Sequence, residues 1–552
     1  MQKNLKPKKD QLVFLPLGGS SEIGMNVNLY HYNGKWIIID LGAGFAGDEF
    51  PGVDMVVADL SFVYENIKDF LGIVLTHGHE DHLGGISYLF DQLNLPIYAT
   101  PFTAEIVKNK LEQVGAAKRA KINLIQPGTS FKLGDFDLQM VQITHSIPEM
   151  NGFMIRTPVA NIFHTGDWKF DPNPVVKPTT DFKELEKIGK EGVHALVCDS
   201  TNVFNDRFSG SEGDLLPHLK GLIKSQKGKV YVTTFASNVA RIETICKAAQ
   251  ACGRKVALAG LSLHKITQFA QSTGYLKDIE PFITDKEIKK YPRDRVLVLC
   301  TGCQGEERAA MSKIANNQHP YLNITPEDSV IFSSKIIPGN EKKILALLNR
   351  FVRLRCEVFT EKDHKVHVSG HPSREELKKM YELIKPEVAI PVHGEPVHIH
   401  EHCKFARELG VPQAIELQNG EMIKISPGST GSMRHVTSGY FGVDGYTLQP
   451  KEGPVISIRK KLRDAGIIII SIVINNQGQM LKAPTVRTPG VLFEPENMPF
   501  ISYLEQEVEE IVEKQKHIKE DKLEKKVRKH MRGVIEKEVG KYPIIEVCIT
   551  RV

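Results

Sequence analysis

One stretch limits what this chain can fold into more than any other: THGHEDHLGG at residues 76–85, entered from the apolar run GIVL. It holds His77, His79, Asp81 and His82 within six residues. Packing does not account for such a group, because crowded imidazoles and a carboxylate repel and desolvate one another unless a cation sits among them. The His-x-His spacing lets alternate residues of an extended loop face one centre, leaving Asp81 and His82 to turn toward a second. The fold must therefore close around this loop and bring further donors to it.

Three later positions follow the same design. His145 in VQITHSIP, Asp167 in FHTGDWKF and His393 in IPVHGE each end an apolar strand. HALVCDS delivers Asp199 in the same way. Polar residues at strand ends are where layered α/β folds place their sites. The run NLYHYNGKWIIID reads as a hairpin turning at Asn33-Gly34, with Asp40 closing its second strand. LVFLPL near the start reads as a first strand rather than a signal peptide, since it is short and contains Pro16.

A length of 552 residues suggests three or four domains at roughly 150 residues each. From residue 210 to about 365, strands such as KVYVTTF, KVALAG, RVLVLCTG and SVIFSS alternate with helical patterns. That pattern is a separate α/β unit with parallel strands. The expected organisation is a metal domain over 1–209 and 367–427, interrupted by the α/β unit at 210–366. A Gly/Ser-rich linker at 428–455 and a C-terminal α+β domain at 456–552 complete it. That last domain should hold two strands, Glu/Lys-laced helices over 503–539 and a closing strand. A net charge of +5 is too small over this length to mark a nucleic-acid binder, so any polyanion site must be local. Eight scattered cysteines fit a reducing compartment. The apolar run AGIIIISIVI is far short of the roughly 18–20 residues that span a bilayer. A soluble, cytoplasmic protein with no membrane association is expected.

The set Asp40, His77, His79, Asp81, His82, His145, Asp167 and His393 resembles the metallo-β-lactamase superfamily. The resemblance implies an αββα sandwich in which His77, His79 and His145 hold one zinc and Asp81, His82 and His393 another. Asp167 would bridge them and Asp40 would orient the ligand loop. It implies two Zn2+ per subunit, with Mn2+ or Mg2+ as possible replacements in the cell. Two such cations about 3.5–4 Å apart acidify a bridging water for in-line attack on a phosphodiester. The long interval from Asp167 to His393, filled by the α/β unit, resembles the β-CASP group of nucleases. Asp199, His367 and His371 match its motifs. TFASN (234–238), TGCQGE (301–306), IPGNE (337–341) and HVSGH (367–371) closely resemble the bacterial ribonuclease J family.

That resemblance places substrate phosphate at Phe235, Ala236 and Ser237, a loop of N–H groups with one hydroxyl. It places the scissile phosphate beside His367, Val368, Ser369, Gly370 and His371. Asp81, Asp199 and His371 become the catalytic set, with His371 a general acid or electrostatic stabiliser. The implied reaction is 5′→3′ exonuclease and endonuclease cleavage of RNA in rRNA processing and mRNA decay. The implied partners are single-stranded RNA with a 5′-monophosphate, a homodimer or homotetramer through the C-terminal domain, and RNA-decay proteins. Cys303 and Lys335 depart from the family pattern, which has Ser at the first and Ser-Pro near the second.

Other motifs read as ordinary structure. Gly42-x-Gly44-x-x-Gly47 formally matches a dinucleotide fingerprint, but Pro51-Gly52 would break the helix it needs. Cys300 and Cys303 lack a second pair at ligand spacing and read as half-buried packing. His398, His400 and His402 read as a solvated helix beside Glu401 and Lys404. Ser373 with Glu376 three residues on reads as a helix cap. The competing functions are a DNA-processing β-CASP nuclease, a small thioester or lactam hydrolase, and a scaffold subunit of a decay complex. The long insertion disfavours the hydrolase, and the filled ligand positions disfavour the scaffold.

Overall fold

A computed structural model describes residues 6–337, 339–515 and 518–552. Pro338 of the IPGNE segment, the basic start at residues 1–5, and positions 516–517 of the Glu/Lys-laced helical region lie outside the described residues. The chain divides into two compact units. One holds the residues up to Gly44 together with Val57–Gly439, and the other holds Phe45–Val56 with Tyr440–Val552.

The first unit is built on two sheets. One has eight strands in the order Gly431–His435, Glu421–Ser426, Leu12–Gly18, Val27–Tyr32, Lys35–Ile39, Phe70–Val74, Ile97–Ala99, Ile122–Leu124. The other has seven, in the order Gln413–Ala414, Val388–Val392, Ala195–Asp199, Asn161–His164, Asn151–Arg156, Phe136–Gln142, Ser130–Leu133. Strand alternation explains the layering. Phe153 and Ile155 point inward to meet Phe14, Tyr30, Ile37 and Ile39 of the first sheet. Met154 between them points outward, into a second core with Leu185, Leu377 and Met380 of the covering helices. Each fully buried Leu, Ile or Phe contributes about 1.5–3 kcal/mol, so the sandwich is a firm base for the loops at its edge. The expected hairpin is present, with Tyr32 paired to Lys35 across Asn33-Gly34.

The inserted α/β unit also takes the expected form. Its sheet runs Lys255–Ala259, Val296–Cys300, Val230–Thr233, Ser329–Phe332, Glu357–Phe359, all parallel. The last strand escaped the sequence pattern because it has only three residues. Helices Val239–Ala251 and Glu341–Arg353 are among its crossovers.

In the second unit, strands Met480–Arg487, Ile467–Ile474 and Ile544–Arg551 form one sheet. Ile468, Ile470 and Ile472 pack under helices Met498–Glu513 and Glu520–Val539 through Leu504, Val508, Val527 and Met531. The stretch expected as a linker is a correction. Residues 428–455 carry the strand Gly431–His435, which pairs with Glu421–Ser426, and the hairpin Tyr440–Asp444 with Thr447–Pro450. Gly428, Gly439 and Gly445 have positive φ between or beside these strands, while Gly431 and Gly442 lie within them, so the glycines punctuate strands instead of loosening them. All eight cysteines are free, and Cys300 is fully buried rather than half-buried. Among the described residues no helix is long and apolar enough to cross a membrane.

Candidate metal centre

Parallel strands align the donors. Asn161–His164, Ala195–Asp199 and Val388–Val392 run side by side, with Asp199 opposite Val392. Their C-terminal ends therefore deliver Asp167, Asp199 and His393 to one edge of the sandwich. The loop leaving Phe70–Val74 brings His77 and His79, and the short helix Glu80–Leu83 brings Asp81 and His82. Two backbone bonds pin that loop: Asn26 N–H donates to the Asp81 carbonyl at 2.8 Å, and Leu41 N–H to the His82 carbonyl at 2.7 Å. Gly42 permits the approach, since a Cβ there would lie 1.9 Å from the Asp81 carbonyl oxygen.

The side chains gather into two groups that share Asp167. His77, His79, His145 and Asp167 place one donor atom each within 4.8 Å of one another, and so do Asp81, His82, Asp167 and His393. In the first group, His79 Nδ1 lies 3.0 Å from His77 Nε2 and 3.1 Å from His145 Nε2. In the second, Asp81 Oδ2 is 3.1 Å from His393 Nε2, and Asp167 Oδ2 is 3.1 Å from His82 Nε2. Asp199, His371 and His393 form a third group beside them. All seven residues expected as ligands are brought together.

The donor set fits divalent ions. Asp167 Oδ1 is buried with no hydrogen-bond partner among the described residues and only an ion-pair contact to His393 Nε2 at 3.5 Å, an acceptor that a cation would satisfy. The remote nitrogens of four rings are anchored. His82 Nδ1 is 2.7 Å from Asp40 Oδ2 and His77 Nδ1 is 2.9 Å from Thr76 Oγ1, whose hydroxyl donates to the same Asp40 oxygen at 2.8 Å. His145 Nδ1 donates to the Gly370 carbonyl at 2.6 Å, and His393 Nδ1 is 2.7 Å from Thr201 Oγ1. Such outer partners orient ligating imidazoles. His393 also adopts a left-handed backbone, φ 55°, a strain typical of functional positions.

Electrostatics separates the two groups. Burial, then the neighbouring imidazoles, hold His77 and His145 well below the ordinary histidine range, and burial brings His79 to about 4. Charge is disfavoured on all three rings, and the outer bonds of His77 and His145 leave their inward nitrogens bare. At His393 burial opposes charge, but Asp167, Asp81 and Asp199 outweigh it and push the value up to about 9. His82 moves up for the same reason, against burial, through Asp167, Asp81 and Asp40. Burial works against ionisation of Asp167 as well, yet His393, His82 and His371 hold it well below the carboxylate range.

The HVSGH loop borders this centre. His371 Nδ1 donates to Asp199 Oδ2 at 2.8 Å and stands 3.8 Å from Asp167 Oδ2. Ser369 Oγ accepts from Asn202 Nδ2 at 2.7 Å. His367 and Val368 lie against Arg241. Phe235, Ala236 and Ser237 follow the strand Val230–Thr233, outside the metal groups. They connect to HVSGH through Thr234 Oγ1, which donates to the Ser333 carbonyl, and Ser333 Oγ, which donates to the Val366 carbonyl.

Several participants escaped sequence reasoning. Thr76 and Thr201 are adjacent or near to motif residues, but nothing in the pattern shows that their hydroxyls serve histidines. Arg241 lies on an ordinary amphipathic helix. His402 is a correction: it is fully buried, bonded to Ser200 Oγ and Tyr381 Oη, although its neighbours Glu401 and Lys404 suggested a solvated face. Only the packing of helix Pro396–Glu408 distinguishes its sides.

With this geometry in hand, comparison with known proteins is decisive. Ribonuclease J of Sinorhizobium meliloti is 38% identical over 98% of both chains. The chain belongs to the ribonuclease J family. Four family profiles match in turn: the beta-lactamase superfamily domain over 35–183, the ribonuclease J beta-CASP domain over 227–351, the Zn-dependent metallo-hydrolase RNA specificity domain over 355–415, and the ribonuclease J C-terminal domain over 454–552. Ribonuclease J of Helicobacter pylori is 32% identical over 97% of this chain and 79% of its own. A crystal structure of an Enterococcus faecalis protein of unknown function shares the fold, with a TM-score of 0.52, 18% identity and coverage of 75% of this chain and all of that one. The αββα metal domain, the β-CASP insertion and the C-terminal domain are those of this family, and the protein is a metal-dependent ribonuclease.

Proposed function

We propose that the chain is a two-zinc enzyme that hydrolyses RNA phosphodiesters as a 5′→3′ exonuclease and as an endonuclease, in rRNA processing and mRNA decay. The observation that carries this reading is the pair of donor groups joined at Asp167. His77, His79 and His145 would hold one ion, Asp81, His82 and His393 the other, with Asp167 between them. Divalent ions bound there supply an acidified water and positive charge against the oxygens of the reacting phosphate.

The remaining steps belong to side chains. With ions bound, Asp40 would leave the inward nitrogens of His77 and His82 free to ligate by holding their outer protons, directly for His82 and through Thr76 for His77. Asp199 orients His371 toward the centre. Burial opposes a charge on His371, but Asp199 and Asp167 hold it above the ordinary histidine value, so it carries a proton to give to the leaving oxygen. Ser369 offers its hydroxyl to a phosphate oxygen. The N–H groups and hydroxyl at Phe235–Ser237 receive a 5′-monophosphate, which sets the register of the first cut. Single-stranded RNA suits recognition by backbone contacts without base reading. The C-terminal domain would join two or four copies, and the compartment would be the cytoplasm.

The test compares RNAs bearing 5′-monophosphate, triphosphate or hydroxyl ends, with a 2′-deoxy substrate alongside, in wild type and in Asp81→Ala/His82→Ala. Mononucleotide release favouring the monophosphate end is expected, with loss of cleavage in the double variant. Undiminished cleavage by that variant would refute the assigned centre.

A further inference from the structure

Arg241 is fully buried in the first turn of helix Val239–Ala251, and each of its guanidinium nitrogens faces an acceptor. Its Nε and Nη2 donate to the two oxygens of Glu212, at 2.5 and 2.9 Å. Its Nη1 faces the Ser333 carbonyl at 2.8 Å, Ser333 Oγ at 2.9 Å, the Val366 carbonyl at 3.2 Å and His367 Nδ1 at 3.2 Å. Nη2 also reaches the Val368 carbonyl at 3.3 Å. One guanidinium thus clasps the chain where it enters the inserted unit, the end of a central strand of that unit, and the chain where it returns to the metal domain.

Stability is a poor reason for this arrangement. A buried ion pair gives back in attraction about what its desolvation costs, and apolar packing would serve as well. Position is the better reason. Arg241 N–H donates to the side chain of Asn238, the cap directly after Phe235–Ser237, at 2.9 Å. Its backbone is therefore tied to one phosphate loop and its side chain to the other. A guanidinium only donates, and its Nη1 hydrogens are drawn first to the Ser333 carbonyl and hydroxyl, with the Val366 carbonyl and His367 Nδ1 at the edge of bonding distance.

We propose that Arg241 is a positioning residue that fixes the Phe235–Ser237 loop and the His367–His371 loop relative to each other. This rests on the ribonuclease reading above, in which both loops take substrate phosphate. Lysine at 241 would keep the charge and lose the planar fork.

The experiment pairs two substrates in the metal-loaded, full-length enzyme. Bis(p-nitrophenyl) phosphate needs only the metal centre, whereas a 5′-monophosphorylated oligoribonucleotide needs both loops. Arg241→Lys is expected to lower kcat/KM on the RNA by roughly tenfold or more while leaving the small diester within about twofold, a split a merely structural defect does not produce. In a His367→Ala background the same change should cost less than about threefold, because the two act as a unit. Glu212→Gln, which loosens the fork from its other side, should repeat the split and serves if Arg241→Lys does not fold. Parallel loss on both substrates, unchanged RNA cleavage in both variants, or full additivity with His367→Ala would overturn the proposal. Wild type inert on RNA would instead overturn the ribonuclease reading.

Discussion

Asp40 governs one ligand in each candidate centre, and replacing it by asparagine isolates that role. The carboxylate is fully buried and accepts three bonds: the Thr76 N–H at Oδ1, 2.8 Å, and both the Thr76 hydroxyl and His82 Nδ1 at Oδ2, 2.8 and 2.7 Å. Burial raises its affinity for a proton, opposed by His82 and these donors. Asparagine has one acceptor oxygen to offer. If its oxygen stays on the Thr76 N–H, its NH2 meets His82 Nδ1 and the Thr76 hydroxyl. Both partners must then reverse, and the proton of His82 moves to Nε2, the nitrogen that faces Asp167. Thr76 in turn donates to His77 Nδ1 and sends that proton to His77 Nε2. If the amide flips, the NH2 opposes the buried Thr76 N–H, an orphaned donor costing roughly 1–3 kcal/mol. Neither arrangement avoids a penalty, and the flip costs about five- to a hundredfold in ion affinity at 1.4 kcal/mol per decade. Titration of the apo-protein with Zn2+ against a chromophoric chelator measures it, with circular dichroism as a control on folding. Asp40→Asn binding both ions as tightly as wild type would show that ligand tautomers are not set through this carboxylate.

Gly42→Ala should place a Cβ 1.9 Å from the Asp81 carbonyl oxygen and 2.6 Å from the Asn26 nitrogen, both backbone atoms; displaced His77–His82 ligands should appear as lost bound metal in elemental analysis, and full metal content would contradict the packing argument. Asp199→Asn should lower kcat by about 10²–10⁴-fold while RNA affinity in chelator, read by fluorescence anisotropy, stays near wild type; weakened binding at full kcat would reverse the assignment. His402, which burial lowers to about 4 from 6.5, contributes stability above its unfolded value that drains as pH falls from 6.5 toward 4, about 3 kcal/mol in all. Urea unfolding of metal-free protein should show that slope in wild type and not in His402→Gln, and parallel pH profiles would rule it out.

The parts of the centre legible in the sequence were those whose chemistry is dense along the chain. Four candidate donors within His77–His82 point to a cation by spacing alone, and His145, Asp167 and His393 stand at recognisable strand ends. The α/β insertion showed itself in repeated apolar runs. What stayed hidden acts through hydroxyls, carbonyls and a single arginine. Thr76, Thr201, the Gly370 carbonyl and Arg241 have no distinctive neighbours in sequence, because a hydrogen-bond partner is chosen by proximity in space. His402 and the strands of 428–455 were misread for a related reason. Local polarity and glycine content describe a segment's own preferences, whereas burial depends on what packs against it.

Sequence alone therefore marked out a candidate cation site, since the residue types that can hold divalent ions and the periodicities of the strands that carry them are local properties, and the reaction class followed from the resemblance of its motifs. Tertiary structure alone decided which nitrogen of each histidine faces inward, which carboxylate is shared, and how the Phe235–Ser237 and His367–His371 loops are joined. Those depend on contacts of a few ångströms between segments hundreds of residues apart, such as His145 on Gly370 and Arg241 on Val366, and such distances exist only once the sheets have closed.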